Sequence, residues 1–169
     1  MCWHHDWPDV PPHIEVIELK RYFGTQFKVW IQSAIKSQWT YLDSGDRLRW
    51  ALSPRVTKGD LLLMYRAYPA CQVTDVFQFV GDELKRGQAE WREGTCVAGA
   101  VKRLCRLDAP IFLSDLRQHR VLSTSSFVRS NMQGRAGLQA SEYWPYLHSM
   151  ISERNPGVRK ALARFSPGA

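Results

Sequence analysis

Four aromatic side chains in this sequence stand among polar neighbours, a setting unusual for residues that only pack in a core. They are Trp39, Tyr41, Trp50 and Trp91. Trp30 differs, because it alternates with apolar residues within residues 27–33. A flat ring on a polar surface can stack on a nucleobase, at about 1–3 kcal/mol for each stacked base. The pattern predicts an aromatic pocket; the alternative is that the loop tryptophans fold back and close the end of the core.

Hydroxyl side chains near these rings could supply selectivity. Enclosing one methyl group of a modified base adds roughly 0.8 kcal/mol of burial, which is about a fourfold preference. Stronger discrimination requires a polar atom that the wrong base leaves without a hydrogen bond. We expect Ser33, Ser37 and Thr40 to provide such atoms in the base-binding pocket.

The chain is basic, with 23 Lys and Arg against 16 Asp and Glu and a net charge of +7. Such a balance favours an acidic partner, and nucleic acid is the most common one. The candidate phosphate-binding residues are Arg47, Arg49, Lys58, Arg129 and Arg135. Contacts of this kind make affinity fall as salt rises. The alternative for each cation is an ordinary solvated surface charge.

Several kinds of chemistry are not predicted. The sequence has no GxSxG, Walker, HExxH or GxGxxG motif and no paired-cysteine metal site. His4, His5 and Asp6 form one short cluster, and no matching ligand group occurs elsewhere in the sequence. We therefore expect a non-enzymatic protein that needs no cofactor and no metal.

The sequence also carries signals about its compartment. No stretch approaches the ~18 apolar residues of a membrane span, and the first residues lack the basic-then-apolar order of a signal peptide. The cysteines lack CxxC spacing, as expected of thiols in a reducing compartment; they are Cys2, Cys71, Cys96 and Cys105. These features predict a soluble, cytoplasmic protein.

The elements that position the candidate residues are mainly strands. Apolar alternation and β-branched runs predict strands at residues 27–33, 61–66, 73–80 and 95–107, with 37–52 as a polar loop. Short helices are expected at 115–121 after Ser114, at 142–153 after Ser141, and at 158–165. Because strands predominate, we predict an α+β domain built on a small, mostly antiparallel, curled sheet with helices outside it.

Several motifs follow one another in an order typical of a known family. Residues 56–65 read VTKGDLLLMY, and residues 71–80 form a strand that ends before Gly81. Residues 127–135 read FVRSNMQGR, and residues 141–147 read SEYWPYL. In this order the chain resembles the EVE family of the PUA-like superfamily, which has xGDxLxxY before a strand and SxEEWxxI in a late helix. Trp39 and Trp91 also match two tryptophans of the related YTH domains.

The resemblance implies a PUA-like curled β-barrel of about five or six strands with short peripheral helices. The domain would cover residues 21–155, between an N-terminal arm (1–20) and a basic C-terminal tail (156–169). It would be a nucleic-acid-binding module that takes a methylated or otherwise substituted base, flipped from DNA or unpaired in RNA, into an aromatic pocket. DNA is expected in preference to RNA, and a nuclease, fused or in trans, would serve modification-dependent restriction.

One stretch departs from the family pattern and leaves alternatives open. The family's usual GVRNYQAR is GDRLRWAL at residues 45–52 here, so the wall of the pocket differs and the base is not specified. The first alternative is a PUA-like RNA-binding protein without preference for a modification. The second is an adaptor whose aromatic residues bind a small molecule or a protein.

Overall fold

The main element of the structure is a curled, mixed β-sheet. A computed structural model describes residues 27–81, 85–86, 97–133 and 137–167. The strands are β1 (Val29–Ala34), β2 (Arg47–Leu52), β3 (Leu61–Arg66), β4 (Gln72–Phe79), β5 (Lys85–Arg86), β6 (Val97–Phe112) and β7 (Leu138–Gln139). The order is β2-β6-β4-β3-β1-β7, and β5 pairs with β6. All pairs are antiparallel except β1 with β3.

The helices are short. They are α1 (Trp39–Leu42), α2 (Leu113–Gln118), α3 (Ser126–Arg129), α4 (Trp144–Arg154) and α5 (Arg159–Leu162). Single 3-10 turns lie at Lys36–Gln38, Leu122–Thr124, Ser141–Tyr143, Pro156–Val158 and Ala163–Phe165. Among the described residues, no helix has the length and apolar character needed to cross a membrane.

The inner face of the curl holds one of two hydrophobic cores. Side chains alternate between the faces of a strand, so apart from the β-bulges every second residue points inward. The inner core consists of Trp30, Ala34, Leu42, Leu48, Trp50, Leu52, Val56, Leu62, Met64, Phe77, Phe79 and Val101. Strands from β2 at one edge to β1, next to the opposite edge, contribute to it. The predicted fold class, α+β with a curled barrel-like sheet and peripheral helices, is therefore confirmed.

The outer face of the sheet is covered by the helices that follow β6. Trp144 of α4 is fully buried there, and its Nε1–H donates to the carbonyl oxygen of Phe165 at 2.7 Å. Val158, Leu162 and Phe165 are buried in the same core. These three residues belong to the predicted basic C-terminal tail (156–169), and they pack against the sheet. The predicted N-terminal arm (1–20) lies outside the described residues.

Two predicted helix caps have other roles. Ser114 lies inside α2, which begins after Phe112; the Asp115 carboxylate accepts the N–H of Phe112 at 2.9 Å. Ser141 lies in a 3-10 turn, and its Oγ accepts the N–H of Val29 at 2.9 Å. Ser141 therefore joins the start of the α4 region to β1, a long-range contact that sequence spacing does not reveal.

Asp60 fixes the turn that leads into β3. The residue is only 2% exposed, and its carboxylate accepts the N–H groups of Lys28 and Thr57, each at 2.9 Å, and the indole Nε1–H of Trp30 at 3.1 Å. Gly59 before it has φ +96°, a backbone conformation that side chains disfavour. The Gly-Asp pair of the sequence motif therefore serves the fold, because it joins the chain before β1, the turn and the inner core.

Replacing Asp60 by Ala is expected to lower the free energy of unfolding by about 3 kcal/mol or more, because buried donors would lose their charged acceptor. Urea denaturation followed by circular dichroism measures the change. Asp46→Ala is the control, since its side chain is 78% exposed, and it should cost about 1 kcal/mol or less. Equal losses in the two variants would contradict this role of Asp60.

Candidate nucleic-acid interface

Trp39 lies at one end of the sheet, directly after β1. The 3-10 turn Lys36–Gln38 and α1 turn the chain there, and the indole is half-buried against the inner core. Its Nε1–H donates to the carbonyl oxygen of Ala34 at 3.1 Å. The guanidinium carbon of Arg66 lies 5.8 Å from the ring centroid, within range of a cation–π contact. Of the predicted aromatic residues, Trp39 combines a fixed ring with remaining exposure and a cationic neighbour.

Trp50 has a different environment from the one predicted. Residues 47–52 form β2 rather than a loop, and Trp50 is 2% exposed within the inner core. The ring of Tyr41 stacks on it with centroids 6.3 Å apart and planes 27° apart. The Tyr41 hydroxyl accepts the N–H of Arg49 at 3.0 Å and donates to its carbonyl oxygen at 3.1 Å. Tyr41 and Trp50 therefore join α1 to β2, and Trp50 closes the core.

The predicted hydroxyl groups are not all together. Ala34 on β1 points to the inner core, so its neighbour Ser33 points to the outer face. The Ser33 Oγ donates to the carbonyl oxygen of Met132 at 2.5 Å. Ser37 and Thr40 are exposed beside Trp39. Ser33 therefore does not reach the side of the sheet on which Trp39 packs. Trp91 lies outside the described residues.

Three cations form a basic strip on the outer surface of β2 and β6. Arg47 is directly opposite Lys102 in the antiparallel register, and Arg49 is opposite Ala100. Cross-strand partners point to the same face, so Arg47, Arg49 and Lys102 are exposed together. Within the described part of the chain, none of the three forms an ion pair with an acidic side chain. Lys102 was not among the predicted phosphate-binding residues.

The remaining predicted phosphate-binding residues are elsewhere. Lys58 is exposed in the turn before β3, and Arg129 is exposed at the end of α3, in the helical layer. Arg135 lies outside the described residues. The structure therefore joins Arg47 and Arg49 into one surface but does not join Arg129 to them.

A network of ion pairs near Trp39 was not predicted at all. Asp75 on β4 has no exposed surface, yet the nitrogen atoms of three arginines lie near its carboxylate: Arg106 Nε at 2.9 Å, Arg103 Nε at 3.1 Å and Arg66 Nη2 at 3.6 Å. Arg66 comes from β3 and the other two from β6, the strands on either side of β4. A sequence signal existed in the arginines of β6, but the apolar run around Asp75 gave no indication that its carboxylate joins them.

The outer part of the network holds the α1–β2 turn. Asp43 accepts from Arg66 Nη1 at 3.1 Å and Nη2 at 2.5 Å, and also from Arg106 Nη2. The hydrogen bond with Arg66, together with the nearby charge of Arg106, lowers the pKa of Asp43 from 3.8 to about 2 although burial opposes the shift. Arg103 donates to the Leu42 carbonyl and to Asp46. The turn after α1, and with it Trp39, is therefore attached to the sheet by charge.

The fold has counterparts among solved structures, whereas the sequence matches no protein-family model and no curated protein. A Leishmania major protein has a TM-score of 0.58 and 16% identity, over 76% of this chain and 96% of its own. A Pseudomonas syringae protein has a TM-score of 0.55 and 12% identity, over 73% of this chain and 99% of its own. The human THYN1 protein, in complex with DNA containing 5-methylcytosine, has a TM-score of 0.53 and 10% identity, over 76% of this chain and 99% of its own.

The chain shares the fold of these solved structures, an α+β fold around a curled, PUA-like sheet. This confirms the fold that the motif order predicted. In this fold the Gly59-Asp60 pair precedes β3, α1 follows β1 directly, and α4 covers the outer face of the sheet. Trp39 and its ionic neighbours therefore occupy the end of the sheet where β1 and β3 finish and β4 begins.

The Asp43 carboxylate should give the protein an acid-dependent stability increment. A lowered folded-state pKa stabilises the native state above the unfolded pKa, and this contribution is lost as the pH falls from about 4 towards 2. Asp43→Asn should lower the free energy of unfolding by about 1 kcal/mol at pH 7, since a carboxylate 42% exposed is screened by water. The difference from the unmodified protein should vanish near pH 2.

Urea denaturation at a series of pH values measures this difference. Asp46→Asn, in the same turn, should give a smaller loss at pH 7, because Asp46 is 78% exposed and pairs with one arginine. A loss for Asp43→Asn that is the same at pH 7 and near pH 2 would show that size or polarity, rather than charge, is responsible.

Proposed function

We propose that this domain is a non-enzymatic nucleic-acid-binding module that accommodates a modified base beside Trp39. The observation that carries the proposal is the partly exposed ring of Trp39, held against the sheet and next to Arg66, in a fold shared with human THYN1, whose structure contains DNA with 5-methylcytosine. The exposed basic strip supports the same conclusion. Neither observation alone specifies a base; the two surfaces are linked through Tyr41, whose hydroxyl bonds to the backbone of Arg49.

The proposed base platform rests on stacking. Extruding a base costs a few kcal/mol, and the cost is least for a damaged or already unpaired base. Stacking on Trp39, at about 1–3 kcal/mol, offsets a large part of that cost. Trp91 is proposed as the second wall, and the exposed hydroxyls of Ser37 and Thr40 as contacts to the edge of the base. Tyr41 and Trp50 support the platform from behind, because they link α1 to β2.

The proposed phosphate contacts come from the basic strip. Tyr41 connects the strip to the Trp39 helix, since its hydroxyl bonds to the backbone of Arg49 on β2. A nucleic-acid strand with one base on Trp39 can therefore place its neighbouring phosphates along Arg47, Arg49 and Lys102. DNA is the proposed partner in preference to RNA, and a nuclease acting in trans or fused to this domain is the proposed effector.

Trp39→Ala should weaken binding to the preferred modified oligonucleotide by about tenfold or more, because a base stack is lost. The measurement is fluorescence anisotropy over single- and double-stranded oligonucleotides that carry cytosine and adenine modifications. Trp39→Phe is the matched control and should retain most of the affinity, since it keeps an aromatic face. Unchanged affinity in both Trp39→Ala and Trp91→Ala would contradict the pocket, and equal affinity for modified and unmodified strands would favour an RNA binder without that preference.

Arg47→Gln and Lys102→Gln should each weaken binding similarly for all sequences and reduce the salt slope by about one unit of log K per log salt. Lys160→Gln is the control, because it removes the same charge from an exposed position on α5 in the helical layer. A salt slope that changes equally in all three variants would indicate that the protein attracts the nucleic acid through its overall charge and not through the basic strip. Binding that does not depend on salt would support the adaptor alternative.

A further inference from the structure

The ion-pair network around Asp75 contains more positive charge than its buried part requires. The buried carboxylate of Asp75 lies within 3.6 Å of the guanidinium groups of Arg66, Arg103 and Arg106. One buried negative charge therefore faces three positive ones. The two remaining positive charges are balanced by acidic residues at the surface. Asp46, which is 78% exposed, pairs with Arg103, and Asp43, which is 42% exposed, pairs with Arg66 and Arg106.

Arg66 and Arg106, which bind Asp43, are oriented by hydrogen bonds to residues of β4. Arg66 Nε donates to Thr74 Oγ1 at 3.0 Å, and Arg106 Nε donates to Asp75 Oδ1 at 2.9 Å. Their terminal nitrogens converge on the Asp43 carboxylate. Guanidinium groups whose Nε is already bonded keep their orientation when the outer ligand changes, so the pair is preorganised for an oxyanion.

A phosphate group has the features that this pair recognises in Asp43. A phosphodiester carries one negative charge on two non-bridging oxygens, as a carboxylate does, and an arginine fork donates hydrogen bonds to either. Exchanging the carboxylate for a phosphate keeps the charge of the network unchanged. The exchange requires that Asp43, which lies in the turn after α1, moves aside. Arg103 is not part of the pair, because its terminal nitrogens bond to the Leu42 carbonyl and to Asp46 and do not contact Asp43.

We propose that Arg66 and Arg106 form a phosphate-binding site that Asp43 occupies in the free protein as an internal competitor. Arg66 also lies on the ring of Trp39, with its guanidinium carbon 5.8 Å from the centroid. A phosphate on Arg66 is therefore adjacent to the base platform, and Asp43 sets how strongly the domain holds a nucleotide there. The natural source of the phosphate, a nucleic-acid backbone, rests on the proposed function; the site itself does not require a modified base.

The test compares Asp43→Ala with Asp46→Ala. Both variants remove one carboxylate from the same turn and change the net charge equally, so general attraction to a polyanion rises equally in both. The probe is an unmodified single-stranded oligothymidylate, measured by fluorescence anisotropy at two salt concentrations. Asp43→Ala should bind it about fivefold or more tightly than Asp46→Ala does, which corresponds to one additional charge-assisted contact. Adding Arg106→Gln to Asp43→Ala should remove that advantage.

A second measurement tests the phosphate-binding site independently of oligonucleotide binding. Inorganic phosphate is titrated into Asp43→Ala while the NMR signals of the arginine Nε–H groups are recorded, and the signals of Arg66 and Arg106 should shift together. A shift with inorganic phosphate but no gain with the oligonucleotide would support the site and assign it to a free phosphorylated ligand. This outcome would count against the proposed function and not against the site.

Asp43→Asn provides a second variant should Asp43→Ala fold poorly, since it keeps the size of the side chain and removes the charge. It should give the same direction of change. Equal affinities of the Asp43 and Asp46 variants for the oligonucleotide, together with unshifted Arg66 and Arg106 signals in phosphate, would overturn the proposal. Melting curves of all variants, recorded without ligand, confirm that the compared proteins are folded at the assay temperature.

Discussion

A carboxylate with no exposed surface, that of Asp75, lies on a central strand of the sheet and needs its charge balanced inside the protein. An ion moved out of water without a partner costs several kcal/mol, so the partners have to be supplied by the neighbouring strands. Arg66 on β3 and Arg103 and Arg106 on β6 supply them. Because these arginines also hold Asp43 and Asp46, one buried charge determines where the α1–β2 turn lies and where Trp39 is presented.

Asp60 is a second buried carboxylate, and it lies at the opposite end of the inner core. Asp60 accepts three N–H groups and contacts the Lys28 ammonium, and it holds the turn before β3 against Trp30. The two acids differ in what they leave at the surface. Asp60 is satisfied mainly by neutral N–H donors, so it creates no excess of cations. Asp75 is contacted by arginines with several donors each, and the terminal nitrogens of these arginines also bond to Asp43, Asp46 and the Leu42 carbonyl. The proposed phosphate-binding site is therefore built around Asp75 and not around Asp60.

Much of the fold follows from local sequence pattern, and the site follows from it much less. The continuous apolar run at residues 61–66 and the alternation at 27–33 predict strands that the structure contains, and the Gly59-Asp60 turn was found with them. Residues 47–52 alternate as Arg-Leu-Arg-Trp-Ala-Leu, which is a strand pattern, but the polar surroundings favoured a loop, and Trp50 was therefore expected at the surface. Whether such a tryptophan is buried or exposed depends on which face of the curled sheet it occupies, and the composition of its neighbours does not determine that face.

The ionic network could not be predicted for a related reason. Asp75 and Arg106 are 31 positions apart, and a β-bulge between Val73 and Asp75 changes which face the acid points to. A one-residue shift of this kind reverses the orientation of every later side chain, so period-two reasoning fails at that point. The packing of the residues after 155 was also not predicted, because they are basic between their apolar positions, whereas Val158, Leu162 and Phe165 repeat at a helical spacing that buries them.

Net charge alone does not identify an interface, and the arrangement of the cations explains why. Arginines around Asp75 add to the net charge of +7, yet their charge is largely neutralised by acids within the fold. Arg47 and Lys102 are different, because they are directly opposite each other on adjacent strands. Like charges in that position destabilise a sheet by roughly 0.2–1 kcal/mol. A polyanion bound across them removes that repulsion, so binding regains free energy that folding lost at this surface. Under the proposed function, we therefore expect a nucleic-acid backbone to gain more attraction from the basic strip than from the larger cluster of arginines.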